Sequence, residues 1–276
     1  MREYADLHIH TTTSDGLHTP SDVVAMACKI GLRVIAITDH DAVEGVAEAR
    51  AAAAGTGLQV IAGVEISASI DETECHVLGY FVDDDDAVLR EQLARFRTAR
   101  VDRVERMLGR LSELGMTLGF DHVQEIAGDG SIGRPHIARA MVEAGYVQDP
   151  KQAFERYLSR GRPAYVPRLK VTPVQALQMI RAAGGLPVLA HPWELQAIVP
   201  SLVPAGLVGL EAYYAGYNAA GTALLVQLAE RHGLLCTGGS DFHGLALSPA
   251  NALGACHLPA SAVEALLARH AALTLR

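Results

Sequence analysis

The sequence predicts an α/β protein: seven strands alternating with helices, as a parallel barrel or a doubly wound sheet, broken once by a helical insertion. Three observations predict it. Short apolar runs recur along the chain, each followed by a polar cluster and then an Ala-rich stretch with helical spacing. Half of the 276 residues are hydrophobic but only 5% are aromatic, so the core has to be built from Ala, Val, Leu and Ile. Between residues 88 and 170 the apolar runs stop and only helical patterns remain.

In order, strands are expected at residues 4–9, 34–38, 58–66, 75–81, 186–190, 207–212 and 235–237. Helices fill the gaps at 21–30, 42–54, 173–183, 218–232 and 260–271, the first started by Pro20 and Ser21. The link from Glu65 to Cys75 is too short for a crossover helix, which predicts a hairpin; antiparallel pairing there sets His76 beside Glu65. Residues 88–114 read as one long amphipathic helix dense in Arg and Leu, its charges a solvated outer face. Further helical segments are expected at 120–127, 135–144 and 152–158, with a Gly-rich turn from Gly128 to Pro135. Two domains follow: 1–87 with 171–276, and the insertion 88–170. The acidic run Asp83 to Asp86 reads as a solvated turn.

A net charge of −8 argues against a protein that coats duplex DNA. No run of about 18 apolar residues suggests a membrane span, and the N-terminal residues carry no apolar leader, so a cytoplasmic address is expected. Cys28, Cys75, Cys236 and Cys256 are scattered, which fits neither a disulfide framework nor a thiolate zinc site.

Ligand-type side chains gather at the ends of the predicted strands. His8 and His10 alternate along the first strand and so share a face. Thr38-Asp39-His40-Asp41 follows the second, Glu65 ends the third, and His76 opens the fourth. His191 ends the fifth, Glu211 the sixth, and Ser240-Asp241-Phe242-His243 follows the seventh. Core histidines have no reason to fall at strand ends throughout, whereas a metal site at one end of a barrel requires it. Nitrogen and oxygen donors suit Mn²⁺, Fe²⁺ or Zn²⁺.

The motifs Asp6-Leu7-His8-x-His10 with Asp15-Gly16, Thr38-Asp39-His40-Asp41, Gly63-x-Glu65, Ala190-His191-Pro192 and Gly239-Ser240-Asp241-x-His243 resemble the PHP (polymerase and histidinol phosphatase) superfamily. The likeness covers about residues 1–82 and 186–245. The insertion with Gly133-Arg134-Pro135-His136 resembles the YciV/TrpH-like branch, which acts on nucleoside 3′,5′-bisphosphates and RNA 5′ ends. The resemblance implies a distorted (β/α)7 barrel with two or three divalent ions, Mn²⁺ favoured. One ion would be held by His8, His10, Glu65 and Asp241. A second would share Glu65 and add His76 and His191, and a third would take Asp15, His40 and His243. It implies a metal-dependent phosphoric monoester hydrolase in which a metal-bridging hydroxide attacks phosphorus. Glu65 and Asp241 are then catalytic, and Asp39 or His243 assists the leaving group.

Arg134 would stand at a helix start, where backbone N–H groups already favour an anion. With His136 and Arg160, a member of the basic cluster Arg160, Arg162, Arg168 and Lys170, it would hold a second phosphate, making the insertion a substrate lid. Trp193, next to His191, or Tyr165 would stack a base. The leading expectation is a phosphatase removing the 3′-phosphate of nucleoside 3′,5′-bisphosphates. Its rivals are a 5′→3′ exonuclease on short RNA and a histidinol-phosphate phosphatase. An amidohydrolase with a metal-bridging Lys fits less well, because no Lys sits at a strand end. A non-catalytic partner domain would have no use for the full ligand set. Glu211 is expected to support a metal-binding His or to touch substrate, and His18, His122, His232, His257 and His270 to be structural.

Overall fold

The computed structural model describes residues 5–70, 73–128, 132–167, 169, 171–247 and 249–274. Tyr4, the turn residues Asp129 to Ser131, and Arg168 and Lys170 of the basic cluster lie outside them. The strands are β1 (Ala5–Ile9), β2 (Val34–Ile37), β3 (Gln59–Ile70), β4 (Thr73–Tyr80), β5 (Leu186–Leu189), β6 (Gly209–Tyr214) and β7 (Leu235–Gly239). They form one sheet in sequence order. All neighbours are parallel except β4, which runs antiparallel to both β3 and β5. The sheet nearly closes: His10 N–H donates to Phe242 O and Asp241 N–H to His8 O, each at 2.9 Å, just beyond the end of β7. This selects the distorted seven-stranded barrel over an open doubly wound sheet.

The helices are α1 (Pro20–Ile30), α2 (Gly45–Ala53), α3 (Ala87–Glu113), α4 (Phe120–Ala127), α5 (Arg134–Glu143), α6 (Pro150–Ala153), α7 (Pro173–Ala182), α8 (Val199–Leu202), α9 (Ala219–Arg231) and α10 (Ala260–Thr274). Their starts are written in the sequence. Thr19 and Asp22 exchange capping bonds around Pro20, and Thr172 and Gln175 do the same around Pro173. Asn218 caps α9 by accepting from Gly221 N–H. Gly31 ends α1 in the left-handed conformation that glycine adopts without strain.

The chain forms two compact units, Met1–Glu91 with Lys170–Arg276, and Gln92–Leu169. In the first, Ala5 and Leu7 of β1 and Val34 and Ala36 of β2 pack in one apolar cluster with Val263 and Leu266 of α10. The intervening Asp6 and His8, with His10 just past β1, are equally buried but polar, as strand alternation requires of a second face. Each fully buried Leu, Ile or Val contributes about 1.5–3 kcal/mol. That apolar face supplies the stability against which a buried polar cluster can be held. The second unit has its own core, including Val104, Met107, Leu111, Val123, Ile137 and Met141.

Some local expectations change. The β3–β4 hairpin is longer than expected, and β6 starts two residues late and runs to Tyr214. Arg134 itself opens α5, with Pro135 second, and the segment at 152–158 divides into α6 and a π-helical turn, Phe154–Leu158. In α3 one arginine is not on a solvated face: Arg103 is 4% exposed and donates from Nε to Val166 O at 2.7 Å. The acidic run is built in as well. Asp84 is buried against Arg50 at 2.7 Å, and Asp86 caps the start of α3 through Leu89 N–H.

Candidate metal centre

Glu65 stands at the centre of the site, 1% exposed, and its two oxygens face different partners. Oε2 lies 3.3 Å from His8 Nε2, 3.2 Å from His10 Nε2 and 3.1 Å from His40 Nδ1. Oε1 lies 3.0 Å from His76 Nδ1 and 3.3 Å from His191 Nε2. The hairpin accounts for His76: Glu65 pairs with Leu78 and Ser67 with His76, so Glu65 and His76 are diagonal neighbours on one face. Asp241 Oδ1 completes the first set, 3.2 Å from His10 Nε2 and 3.4 Å from His8 Nε2. Asp15 gathers a third: its Oδ1 is 3.3 Å from His243 Nε2 and 3.4 Å from His10 Nδ1, and its Oδ2 is 3.8 Å from His40 Nε2.

All nine residues expected as ligands are thus brought together. Among the described residues, three groups have donor atoms within 4.8 Å of one another: His8, His10, Glu65 and Asp241; His10, Asp15, His40 and His243; and His40, Glu65 and His76. His10 and His40 therefore each stand in or beside two groups, a sharing that the motifs did not reveal. His191 adjoins the last group, 3.2 Å from His76 Nδ1.

The donors fit divalent cations. His40 Nδ1 and Glu65 Oε2 are buried and make no hydrogen bond, although they are 3.1 Å apart. His8 Nε2 and His10 Nε2 lie 3.1 Å apart, lone pair toward lone pair unless one is protonated. A shared cation relieves both arrangements. The outer contacts fix the same tautomers. His8 Nδ1 donates to Glu211 Oε1 at 2.8 Å, and His243 Nδ1 to the backbone O of Asp241 at 2.9 Å, leaving each Nε2 as a donor of electrons.

Without an ion, the cluster balances its own charge. Burial pushes His8 and His10 down, but Glu211, Glu65, Asp15 and Asp241 outweigh it and raise both well above the usual histidine value. His76 is raised to about 9: burial lowers it, and Glu65 and Glu74 more than compensate. Burial takes His40 down to about 3 despite Glu65 and Asp15, so it is neutral at pH 7. Burial would raise Glu65, Asp15 and Asp241, yet the surrounding imidazoles hold all three well below the carboxylate range.

Three acidic residues around the cluster are held by buried hydrogen bonds. Asp39 is 1% exposed, accepting from Thr11 N–H (2.7 Å), Thr11 Oγ1 (2.8 Å) and Ser14 Oγ (2.7 Å). These bonds anchor the loop that carries Asp15, a place that lends no support to the expected leaving-group role. Glu211 braces two of the clustered histidines: besides His8 Nδ1, it accepts from His191 N–H at 2.7 Å. Asp6 ties the loops after β7 to β1, accepting from Ser240 N–H and Oγ and from Gly254 N–H.

Of the substrate candidates, Trp193 lies in this unit. It is 43% exposed in a 3-10 turn, Pro192–Glu194, with its ring 5.9 Å from that of Tyr217. The Tyr217 and Tyr214 rings meet at 5.0 Å, tilted by 58°, and with Tyr213, Thr222 and His257 they border a cavity of about 580 Å³. Arg134, His136 and Arg160 belong to the insertion unit. There Arg134 lies over the Phe154 ring at 5.6 Å, His136 Nδ1 accepts from Gly133 N–H, and Arg160 is exposed. Tyr165 packs beside Arg103 at 5.8 Å. His18 stacks on Phe242 and His270 on Phe81, structural places both.

A nearly closed seven-stranded barrel with clustered His, Asp and Glu at its strand ends defines a metallohydrolase class. Residues 6–125 match the PHP domain. The chain is 34% identical to a 3′,5′-nucleoside bisphosphate phosphatase of Chromobacterium violaceum, over 86% of each protein. It is also 34% identical to a 5′-3′ exoribonuclease of Escherichia coli, over 86% of this chain and 84% of that one. A solved structure from Bifidobacterium adolescentis, described as a metal-dependent phosphoesterase, superimposes with a TM-score of 0.84 at 33% identity, over 98% of this chain and 97% of the other. The chain belongs to the PHP domain family and is a metal-dependent phosphoesterase.

Proposed function

We propose that this enzyme removes the 3′-phosphate of nucleoside 3′,5′-bisphosphates, leaving the 5′-monophosphate. The observation that carries the chemistry is Glu65, with each carboxylate oxygen turned to a different set of imidazoles. The substrate follows from the likeness to the bisphosphate phosphatase over 86% of both chains. His8, His10, Glu65 and Asp241 would hold one divalent ion; Glu65, His76 and His191 a second; and Asp15, His40 and His243, with His10 alongside, a third. Such ions supply Lewis acidity and an acidified water as nucleophile. Mn²⁺ is the preferred occupant, with Zn²⁺ or Fe²⁺ compatible with the same donors.

The chain's own residues do the rest. Glu211 and the Asp241 carbonyl hold His8 and His243 in the tautomer that leaves Nε2 available. His243 faces the third donor group and would assist the departing oxygen through the ion that its Nε2 helps hold. Ring faces at Trp193, Tyr214 and Tyr217 suit a base. Arg134, His136 and Arg160 are proposed to read the second phosphate, with the insertion as lid, in a cytoplasmic enzyme.

Phosphate release with Mn²⁺ tests this across adenosine 3′,5′-bisphosphate, 3′-AMP, 5′-AMP, histidinol phosphate and a 5′-phosphorylated oligoribonucleotide. The bisphosphate should give the highest kcat/KM, and Arg134→Ala should lower it for that substrate well beyond 3′-AMP. Preferred cleavage of the oligonucleotide, which the exoribonuclease relative makes the main rival, would replace this reading.

A further inference from the structure

Asp241 presents its two oxygens to different neighbours. Oδ1 faces the imidazoles of His8 and His10, while Oδ2 accepts a hydrogen bond from the Tyr214 hydroxyl at 3.0 Å. That hydroxyl accepts in turn from Asn251 Nδ2 at 3.4 Å, so its donor and acceptor roles are both used. The Tyr214 ring lies 5.8 Å from that of His191, which keeps it beside the donor cluster. Asp241 also has a backbone φ of +55°, a conformation that L residues adopt only when neighbours hold them there. A carboxylate on such a backbone, free to rotate about its last bond, could offer either oxygen or both to an ion.

We propose that Tyr214 is a positioning residue for the metal centre, fixing the Asp241 carboxylate so that Oδ1 alone is offered as a ligand, with Asn251 orienting the Tyr214 hydroxyl. This rests on the metal-ligand role given to Asp241 above, and not on which phosphate ester is the substrate. Outer-shell partners of this kind are worth about 10–100-fold in metal affinity or activity.

The test is Mn²⁺ titration of metal-free protein by calorimetry, comparing wild type, Tyr214→Phe, Asn251→Ala and the double variant, with thermal unfolding of each metal-free form. Tyr214→Phe should bind Mn²⁺ about tenfold more weakly, with the metal-free unfolding temperature close to wild type. Asn251→Ala should lose less, and should add nothing on top of Tyr214→Phe, because it acts through the same hydroxyl. Wild-type Mn²⁺ affinity in Tyr214→Phe, or a full additional loss in the double variant, overturns the proposal. So does a lowered unfolding temperature with unchanged affinity, which marks a packing role. Should Tyr214→Phe fail to fold, Asn251→Ala decides alone: weaker Mn²⁺ binding supports the proposal and wild-type binding overturns it. The titration uses no substrate, so a failed substrate assignment leaves this result intact. A wild-type protein that binds no Mn²⁺ overturns both.

Discussion

At the scale of single residues, the site is a set of carboxylates whose two oxygens do two jobs. Glu65 divides its oxygens between imidazole sets, Asp241 between the cluster and Tyr214, and Glu211 between His8 and the His191 backbone. Removing a shared ligand should therefore cost more than removing a support. Glu65→Ala and Asp241→Ala should each lower kcat on the order of a thousandfold, since lost transition-state charge stabilisation is worth several kcal/mol; steady-state phosphate release checks this, and near-normal rates would refute the assignment. Glu211→Gln keeps the shape but not the charge, and should weaken Mn²⁺ binding about 10–100-fold by titration. Asp39→Asn makes the opposite kind of prediction. Its partners are Thr11 and Ser14, so it should lower the unfolding temperature while preserving the dependence of kcat on the leaving group's pKa.

At the scale of elements, the barrel's closing seam sets the geometry. A Cβ on Gly239 would lie 2.3 Å from His8 Cβ and 2.4 Å from His8 N, so β7 can pass the His8 backbone only with glycine there. Gly239→Ala should destabilise the protein by about 1–3 kcal/mol and displace His8, lowering Mn²⁺ affinity as well. Thermal unfolding with metal titration would show both losses together; a stability loss with intact affinity would mean that the seam and the site are independent. The β-bulge in β6 matters in the same way. Register slips between Glu211 and Tyr213, so Glu211 and Tyr214, three residues apart, both reach the site. In a regular strand an odd spacing puts two side chains on opposite faces. That is why Tyr214 could not be found from strand periodicity, whereas His8 and His10, spaced by two, could.

At the scale of the whole molecule, a buried cluster of this size makes stability depend on metal and pH in opposite senses. In the metal-free protein His8, His10 and His76 are raised, His76 to about 9: burial lowers all three, but Glu211 chiefly raises His8, Asp15 His10 and Glu65 His76. Their contribution is complete below the unfolded-state value near 6.5 and is lost as pH rises through the folded value. His40, lowered to about 3, acts only below that window, where it costs stability as the pH falls. The unfolding temperature of metal-free protein should therefore fall from pH 6.5 to 9. At saturating free Mn²⁺ it should instead rise slightly from pH 6.5 and level off above about pH 7.5, because the ligating imidazoles are neutral and only the unfolded chain still takes up protons. Parallel slopes in a pH series of thermal melts would contradict the proposed ligand role of these histidines.

Local chemistry alone settled much of this protein. The strand rhythm and the helix starts at Thr19, Thr172 and Asn218 are fixed by residues close together in the chain. Eight of the nine clustered side chains were legible too, because strand alternation and strand ends place them by short-range rules; Asp15, in the loop after β1, was indicated only by the family motif. Tertiary structure alone decided how they share. Which oxygen of Glu65 meets which imidazole, that Asp39 is spent on a loop while Glu211 braces two histidines, and that Tyr214 reaches Asp241, all depend on strand register, a bulge and the closing of β7 against β1. Those are contacts between segments as far apart in the chain as Asp6 and Ser240, set by packing and closure of the whole sheet, for which spacing along the chain carries no signal.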